Sequence, residues 1–305
     1  MSRRWRALDA ARGLSVVAMV AFHLIWDLAH FGYIAHSIPW SAPVKAFGHS
    51  IAFAFLFIAG VSLVLAHRER IDWRAFWRRF GVIAGAAALV SLGTWLVFPA
   101  AFVFFGILHC IAAASLLSLL FLRAPWPAAL AAGAIFFAAP FALASPAFNA
   151  DWLQWLGLGT TEPLTQDWRP LFPWAGAMLL GVGAARMLTQ RASDAAPDAP
   201  QIHAPGEKSL AFLGRHSLLI YLIHQPLLFG LFTLLLMVTP PPPDPAFIAG
   251  CEKSCRAQGS PQSFCKNFCA CTAEAAERDK TLRAATDKDR RMKRLQELAD
   301  RCAAQ

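Results

Sequence analysis

Residues 8–28 read LDAARGLSVVAMVAFHLIWDL. From Gly13 to Phe22 only Ser15 interrupts the apolar run, and with its flanks the segment reaches the roughly 20 residues an α-helix needs to cross a bilayer. An ionised side chain at that depth costs about 2.5–3.5 kcal/mol on insertion scales, so a span that keeps Arg12, His23 and Asp27 carries a functional constraint. Arg12 and His23 are eleven residues apart. At about 100° per residue that is close to three turns, which puts both on one face roughly 16 Å apart along the axis. Asp27 lies four residues beyond His23 on the same face, and His30 continues the stripe. Asp9 sits in the first turn, where a carboxylate suits a helix N-terminus.

The remainder of the chain repeats the apolar pattern. Of 305 residues 57% are hydrophobic and 15% charged, against roughly 25% charged in soluble domains, and the mean hydropathy is +0.45. Seven candidate spans emerge, at about 12–34, 47–66, 80–98, 101–122, 126–145, 171–189 and 209–238. The expected fold is an all-α polytopic membrane protein with about seven transmembrane helices over residues 1–239. A small Cys-rich α-helical tail, 240–305, follows the proline run 240–243.

Basic residues orient such a bundle, because basic loops stay cytoplasmic. Arg3, Arg4 and Arg6 precede the first span, Arg68, Arg70, Arg74, Arg78 and Arg79 follow the second, Arg123 follows the fourth, and Arg186, Arg191 and Lys208 follow the sixth. The alternate loops hold only Lys45 and Arg169. The pattern predicts the N-terminus inside and, with seven spans, the tail outside. The net charge of +9 then reflects topology and contact with anionic lipid, not nucleic-acid binding.

Of seven cysteines, Cys110 is alone within a span, and Cys251, Cys255, Cys265, Cys269, Cys271 and Cys302 lie in the tail. The i, i+4 spacing places Cys251/Cys255 and Cys265/Cys269 each on one helical face, and Gly259 and Pro261 would turn the chain between them. Antiparallel helices would pair Cys251 with Cys269 and Cys255 with Cys265, leaving Cys271 and Cys302 to close across a helix of about 272–301. Six cysteines allow fifteen connectivities, and a thiolate zinc site is the competing reading. An extracytoplasmic tail favours disulfides, which a small thin-cored domain needs. The charged stretch 280–294 reads as a solvated helix face.

Two later spans bring further histidines into the membrane. The fourth contains Gly106-Ile107-Leu108-His109. The last contains Gly214-Arg215-His216-Ser217, then Tyr221, His224, Gln225 and Pro226, which removes a backbone donor and kinks a helix. Pro173-Trp174 opens the sixth span, and His36, His49, His67 and His203 fall at span ends or in loops.

Arg-Gly opening the first helix with Trp-Asp downstream, Gly-Ile-Leu-His in a middle span, Phe-Pro-Trp in a later one and Gly-Arg-His-Ser-Leu-x-Ile-Tyr-Leu-Ile-His-Gln-Pro in the last occur in that order. Together, from about Arg6 to Phe229, they resemble bacterial membrane proteins related to the heparan-α-glucosaminide N-acetyltransferase catalytic domain, within the transmembrane acyltransferase superfamily. The resemblance implies transfer of an acyl group, typically acetyl, from coenzyme A on the cytoplasmic side to a sugar amine or hydroxyl on the outer side of a bacterial inner membrane. It matches Arg12 and His23 to the superfamily's arginine and histidine of the first span, and Arg215 and His224 to its final helix. The animal lysosomal enzyme has more spans and asparagine at the place of His23, which leaves His30 and His36 as alternative counterparts of its active histidine.

On this reading His23, oriented by Asp27, is the base or nucleophile, and Arg12 and Arg215 hold the phosphates of acetyl-CoA or another acyl-CoA. Tyr221, His224 and His109 shape the acceptor side, and no metal is expected. Expected partners are membrane lipid, a carbohydrate or glycolipid acceptor and, through the tail, a second copy or a docking protein. Two rivals use the same residues: a proton-coupled small-solute transporter, and a haem protein ligated by His23, His109 and His224.

Overall fold

The computed structural model describes residues 6–68, 70–194, 206–239, 245–279 and 288–303. The elements are α1 (Arg6–His30), α2 (Ala42–Ala66), α3 (Trp73–Val97), α4 (Ile107–Ser118), α5 (Trp126–Leu143) and α6 (Leu171–Asp194). They continue with α7 (Glu207–Arg215), α8 (Ser217–Val238), α9 (Pro245–Ala257), α10 (Gln262–Arg278) and α11 (Lys288–Ala303). Among the described residues the regular structure is entirely helical, as an all-α polytopic protein requires. Among the described residues six helices, α1, α2, α3, α5, α6 and α8, are long and apolar enough to cross a membrane. Phe141 is 93% exposed and Leu96 68%, a cost in water that a hydrocarbon surround removes.

Two expected spans differ from the structure. The stretch 101–122 contains a helix only from Ile107, a shorter apolar element. Residues 102–106 are held out of the helix because their backbone serves other partners: Thr165 Oγ1 donates to the Phe102 carbonyl at 2.7 Å and Arg169 N–H to the Phe105 carbonyl at 3.2 Å. The stretch 209–238 divides at His216 into α7 and α8. The basic anchors Arg3 and Arg4, and His203, lie outside the described residues.

The chain forms two compact units, Met1–Met19 with Ala46–Ile223 and Val20–Lys45 with His224–Gln305. In the first, Leu56 and Leu63 of α2, Cys110 and Ala114 of α4 and Met178 and Val182 of α6 make the buried core. Without hydrophobic pressure between helices in lipid, close backbone approach holds such a core together. A Cβ on Gly60 would lie 2.1 Å from the Met178 carbonyl oxygen, and one on Gly181 2.1 Å from that of Phe57, so α2 and α6 meet backbone to backbone. Gly13 of α1 and Gly214 of α7 make a second such contact: their Cβ atoms would fall 1.9 Å from the Leu210 and 1.8 Å from the Asp9 carbonyl oxygens.

In the second unit an aromatic cluster ties the end of α1 to α8. Phe31 stacks on Phe232 with ring centroids 5.6 Å apart, and Tyr33 donates its hydroxyl to the Thr239 carbonyl at 2.7 Å. The tail carries three disulfides, Cys251–Cys269, Cys255–Cys265 and Cys271–Cys302. Gly259, at φ +86°, turns the chain between α9 and α10, so the i, i+4 cysteines face each other in antiparallel helices. The single helix expected at about 272–301 is instead the end of α10 and a separate α11, with part of the charged stretch 280–294 outside the described residues.

Candidate functional site

Arg12 is fixed from two sides. Its Nη1 donates to Asp9 Oδ1 at 3.1 Å, one turn back on α1, and its Nη2 to Ser62 Oγ of α2 at 2.7 Å. The Ser62 hydroxyl in turn donates to the Ile58 carbonyl at 2.7 Å, which orients its lone pairs toward Arg12. A cavity of about 580 Å³ in the first unit is lined by Arg12, Arg78, Arg79 and Arg215, with largely apolar walls that include Ile83, Leu108 and Tyr221. The backbone break after α7 places Arg215 there: His216 N–H bonds the Phe212 and Leu213 carbonyls, which ends one helix before Ser217 begins the next. The Gly214–Asp9 contact sets α7 directly against α1. Gathering guanidinium groups in an apolar chamber is costly unless an anion answers them.

Arg12, Arg215 and Tyr221, inferred from spacing and resemblance, thus line one cavity. Arg78 and Arg79 read in the sequence as topological anchors. What could have identified them is a density of arginine along the first two turns of α3 beyond what anchoring needs.

The second unit holds the histidines. His23 Nδ1 and His224 Nε2 are 3.2 Å apart, with ring centroids at 4.8 Å and planes at 62°. On the next residue of α8, Gln225 Nε2 donates to Asp27 Oδ1 at 2.8 Å. Asp27 and His224 are buried. The helical spacing suggested Asp27 as the orienting partner of His23; the hydrogen bonds displayed by the two come from α8, His224 to His23 and Gln225 to Asp27. Asp27 Oδ2, Gln225 Oε1 and Trp26 Nε1 are buried without a hydrogen-bond partner among the described residues. Native structures seldom leave such groups unanswered, so two acceptors and one donor here have capacity for a polar ligand. His30 packs against Phe229 at 5.4 Å between ring centroids, and His36 is exposed in the turn after α1.

His109 belongs to a different construction. Its Nδ1 accepts the Gly106 N–H at 3.2 Å, and its Nε2 lies 3.2 Å from Ser91 Oγ, which donates to the Val103 carbonyl at 2.6 Å. Asp167 Oδ2 accepts the Ile107 N–H at 2.8 Å, so two side chains finish the first turn of α4. Asp167→Ala is expected to lower stability by about 0.5–2 kcal/mol, the usual cost of losing an N-terminal cap, read as a lower thermal midpoint in detergent.

The family model described as "Heparan-alpha-glucosaminide N-acetyltransferase, catalytic" matches residues 4–226. No curated protein and no solved structure matches the chain.

Proposed function

Since the chain belongs to the heparan-alpha-glucosaminide N-acetyltransferase catalytic family, we propose that it moves acetyl from acetyl-CoA to an amine or hydroxyl of a sugar, with His23 as the base. The observation that carries the proposal is the arginine cavity. Coenzyme A presents a diphosphate and a 3′-phosphate on a long, partly apolar body. Arg12, Arg78, Arg79 and Arg215 on apolar walls suit both features. Helix α1 supplies Arg12 to the first unit and His23 to the second.

Chemically, His224 can fix the tautomer of His23 as an aspartate does elsewhere, without the carboxylate's charge. When His23 donates its Nδ1–H to His224 Nε2, the ring is held in the tautomer whose Nε2 carries the basic lone pair. As the acceptor nitrogen or oxygen attacks the thioester carbonyl, His23 Nε2 takes its proton. The new C–N or C–O bond forms, the C–S bond breaks, and the departing thiolate recovers the proton from the imidazolium. The unpartnered atoms of Asp27, Gln225 and Trp26 are suited to orienting the acceptor's hydroxyl or amine groups.

The disulfides support an extracytoplasmic tail, and the basic loops support a cytoplasmic arginine cavity. A haem reading fits less well, because both ring nitrogens of His109 are engaged around the start of α4.

Arg78→Gln and Arg79→Gln are expected to raise KM for acetyl-CoA about tenfold or more, in keeping with loss of a charge-assisted hydrogen bond. The wild-type preference for acetyl-CoA over acetyl-dephospho-CoA should shrink in at least one of them. Unchanged KM and unchanged preference in both variants would remove the cavity from donor binding.

A further inference from the structure

A second polar cavity, of about 230 Å³, also lies in the first unit and shares no lining residue with the arginine cavity. His67 and Arg68 enter it from just beyond the end of α2, and Arg186, Thr189 and Gln190 from the last turns of α6. Among the described residues none that lines it is acidic.

Several donors are available to whatever enters. Arg186 Nη1 donates to the Leu122 carbonyl, which fixes the guanidinium, while its Nε is buried without a hydrogen-bond partner among the described residues. The Asp72 N–H donates to His67 Nδ1 at 3.3 Å, so the neutral ring carries its proton on Nε2 and presents a donor. Burial lowers the His67 pKa below the ordinary imidazole value, and Arg79 adds to that while Asp72 opposes it. The ring therefore stays neutral near pH 7, and the fixed positive charge comes from Arg68 and Arg186. Thr189 directs its hydroxyl proton to the Arg186 carbonyl at 3.0 Å.

The location narrows the ligand. The candidate spans Ala42–Ala66 and Leu171–Gln190 both end at this cavity, so it lies at the level where a bilayer's phosphate groups sit. Two guanidinium groups, one with a buried Nε that has no hydrogen-bond partner among the described residues, suit a phosphate oxygen better than a carbohydrate or a cation.

We propose that the cavity bounded by His67, Arg68 and Arg186 is a second anion site, which takes a phosphate ester independently of the donor cavity. The phosphate has two sources, an anionic lipid headgroup or a soluble phosphate.

The test uses the full chain in a neutral detergent, wild type beside Arg68→Gln and Arg186→Gln. Native mass spectrometry measures retention of added phosphatidylglycerol against phosphatidylcholine, and thermal unfolding measures the response to inorganic phosphate against chloride at equal ionic strength. A lipid site predicts phosphatidylglycerol retention that falls about tenfold in Arg68→Gln, the scale of one charge-assisted hydrogen bond. A soluble-phosphate site predicts a rise in thermal midpoint with phosphate that Arg68→Gln abolishes. The proposal is overturned if neither response depends on Arg68 or Arg186. Arg68 is exposed, whereas Arg186 is tied to the Leu122 carbonyl, so the Arg68 variant decides alone if Arg186→Gln does not fold.

Discussion

His23→Ala is expected to lower kcat for acetyl transfer by about 10²–10⁴-fold, the contribution of a positioned general base, with KM for acetyl-CoA nearly unchanged. The split follows from the proposed division of labour: Arg12, Arg78, Arg79 and Arg215 line the arginine cavity, whereas His23 meets His224 in the other unit. His224→Gln should cost less than His23→Ala, since an amide oxygen near the position of His224 Nε2 still accepts the His23 Nδ1–H while the base itself is intact. A purely structural role for His23 would give a different pattern, in which yield and thermal midpoint fall together with activity. His30→Ala and His36→Ala are the controls that separate the alternatives left by the family resemblance. Full activity in both, with loss in His23→Ala, assigns the base to His23. Loss in only one of the controls assigns it to His30 at the end of α1 or to His36 in the exposed turn after it.

Gly13→Ala and Gly214→Ala are expected to be among the most damaging single-methyl additions in the chain. Each Cβ would sit within 2 Å of a carbonyl oxygen of the facing helix, 1.9 Å from Leu210 and 1.8 Å from Asp9. The obstacle is backbone, so no side-chain rotation relieves it and α1 and α7 must separate. Overpacking that moves backbone costs about 1–3 kcal/mol and at times more, and these contacts belong at the upper end. Arg12 adjoins Gly13 and Arg215 adjoins Gly214, so the separation also spreads the arginine cavity proposed to hold the donor. Any folded variant should show a raised KM for acetyl-CoA. Gly85→Ala, on α3 with nothing within 4 Å of its Cβ, should leave stability unchanged or raise it by up to about 1 kcal/mol, as helix propensity predicts. Equal thermal midpoints for Gly13→Ala and Gly85→Ala would contradict the packing argument.

What the sequence made legible was local. Helical periodicity placed Arg12, His23 and Asp27 along α1, and the cysteine spacing around Gly259 and Pro261 led to the pairing that the structure contains. What it concealed depends on neighbours distant in the chain. The apolar stretch at 101–106 looks helical until Thr165 and Arg169 claim its carbonyls. Gln225 is a glutamine without an assigned role until α8 lies beside α1, and a hydrogen-bond partner of His23 is 201 residues away. Arg78 and Arg79 carry the same signature as anchoring arginines, because a charge count along the chain does not reveal which guanidinium groups share a cavity.

The most direct test of acyl transfer is to incubate the purified full chain with acetyl-labelled acetyl-CoA and a panel of amino sugars and sugar alcohols, following free thiol and labelled sugar together. The account predicts thiol release that depends on an acceptor and equals the acetylated sugar formed, with both lost in His23→Ala. Uptake of a solute by reconstituted vesicles, with no thioester consumed under any acceptor, would contradict it.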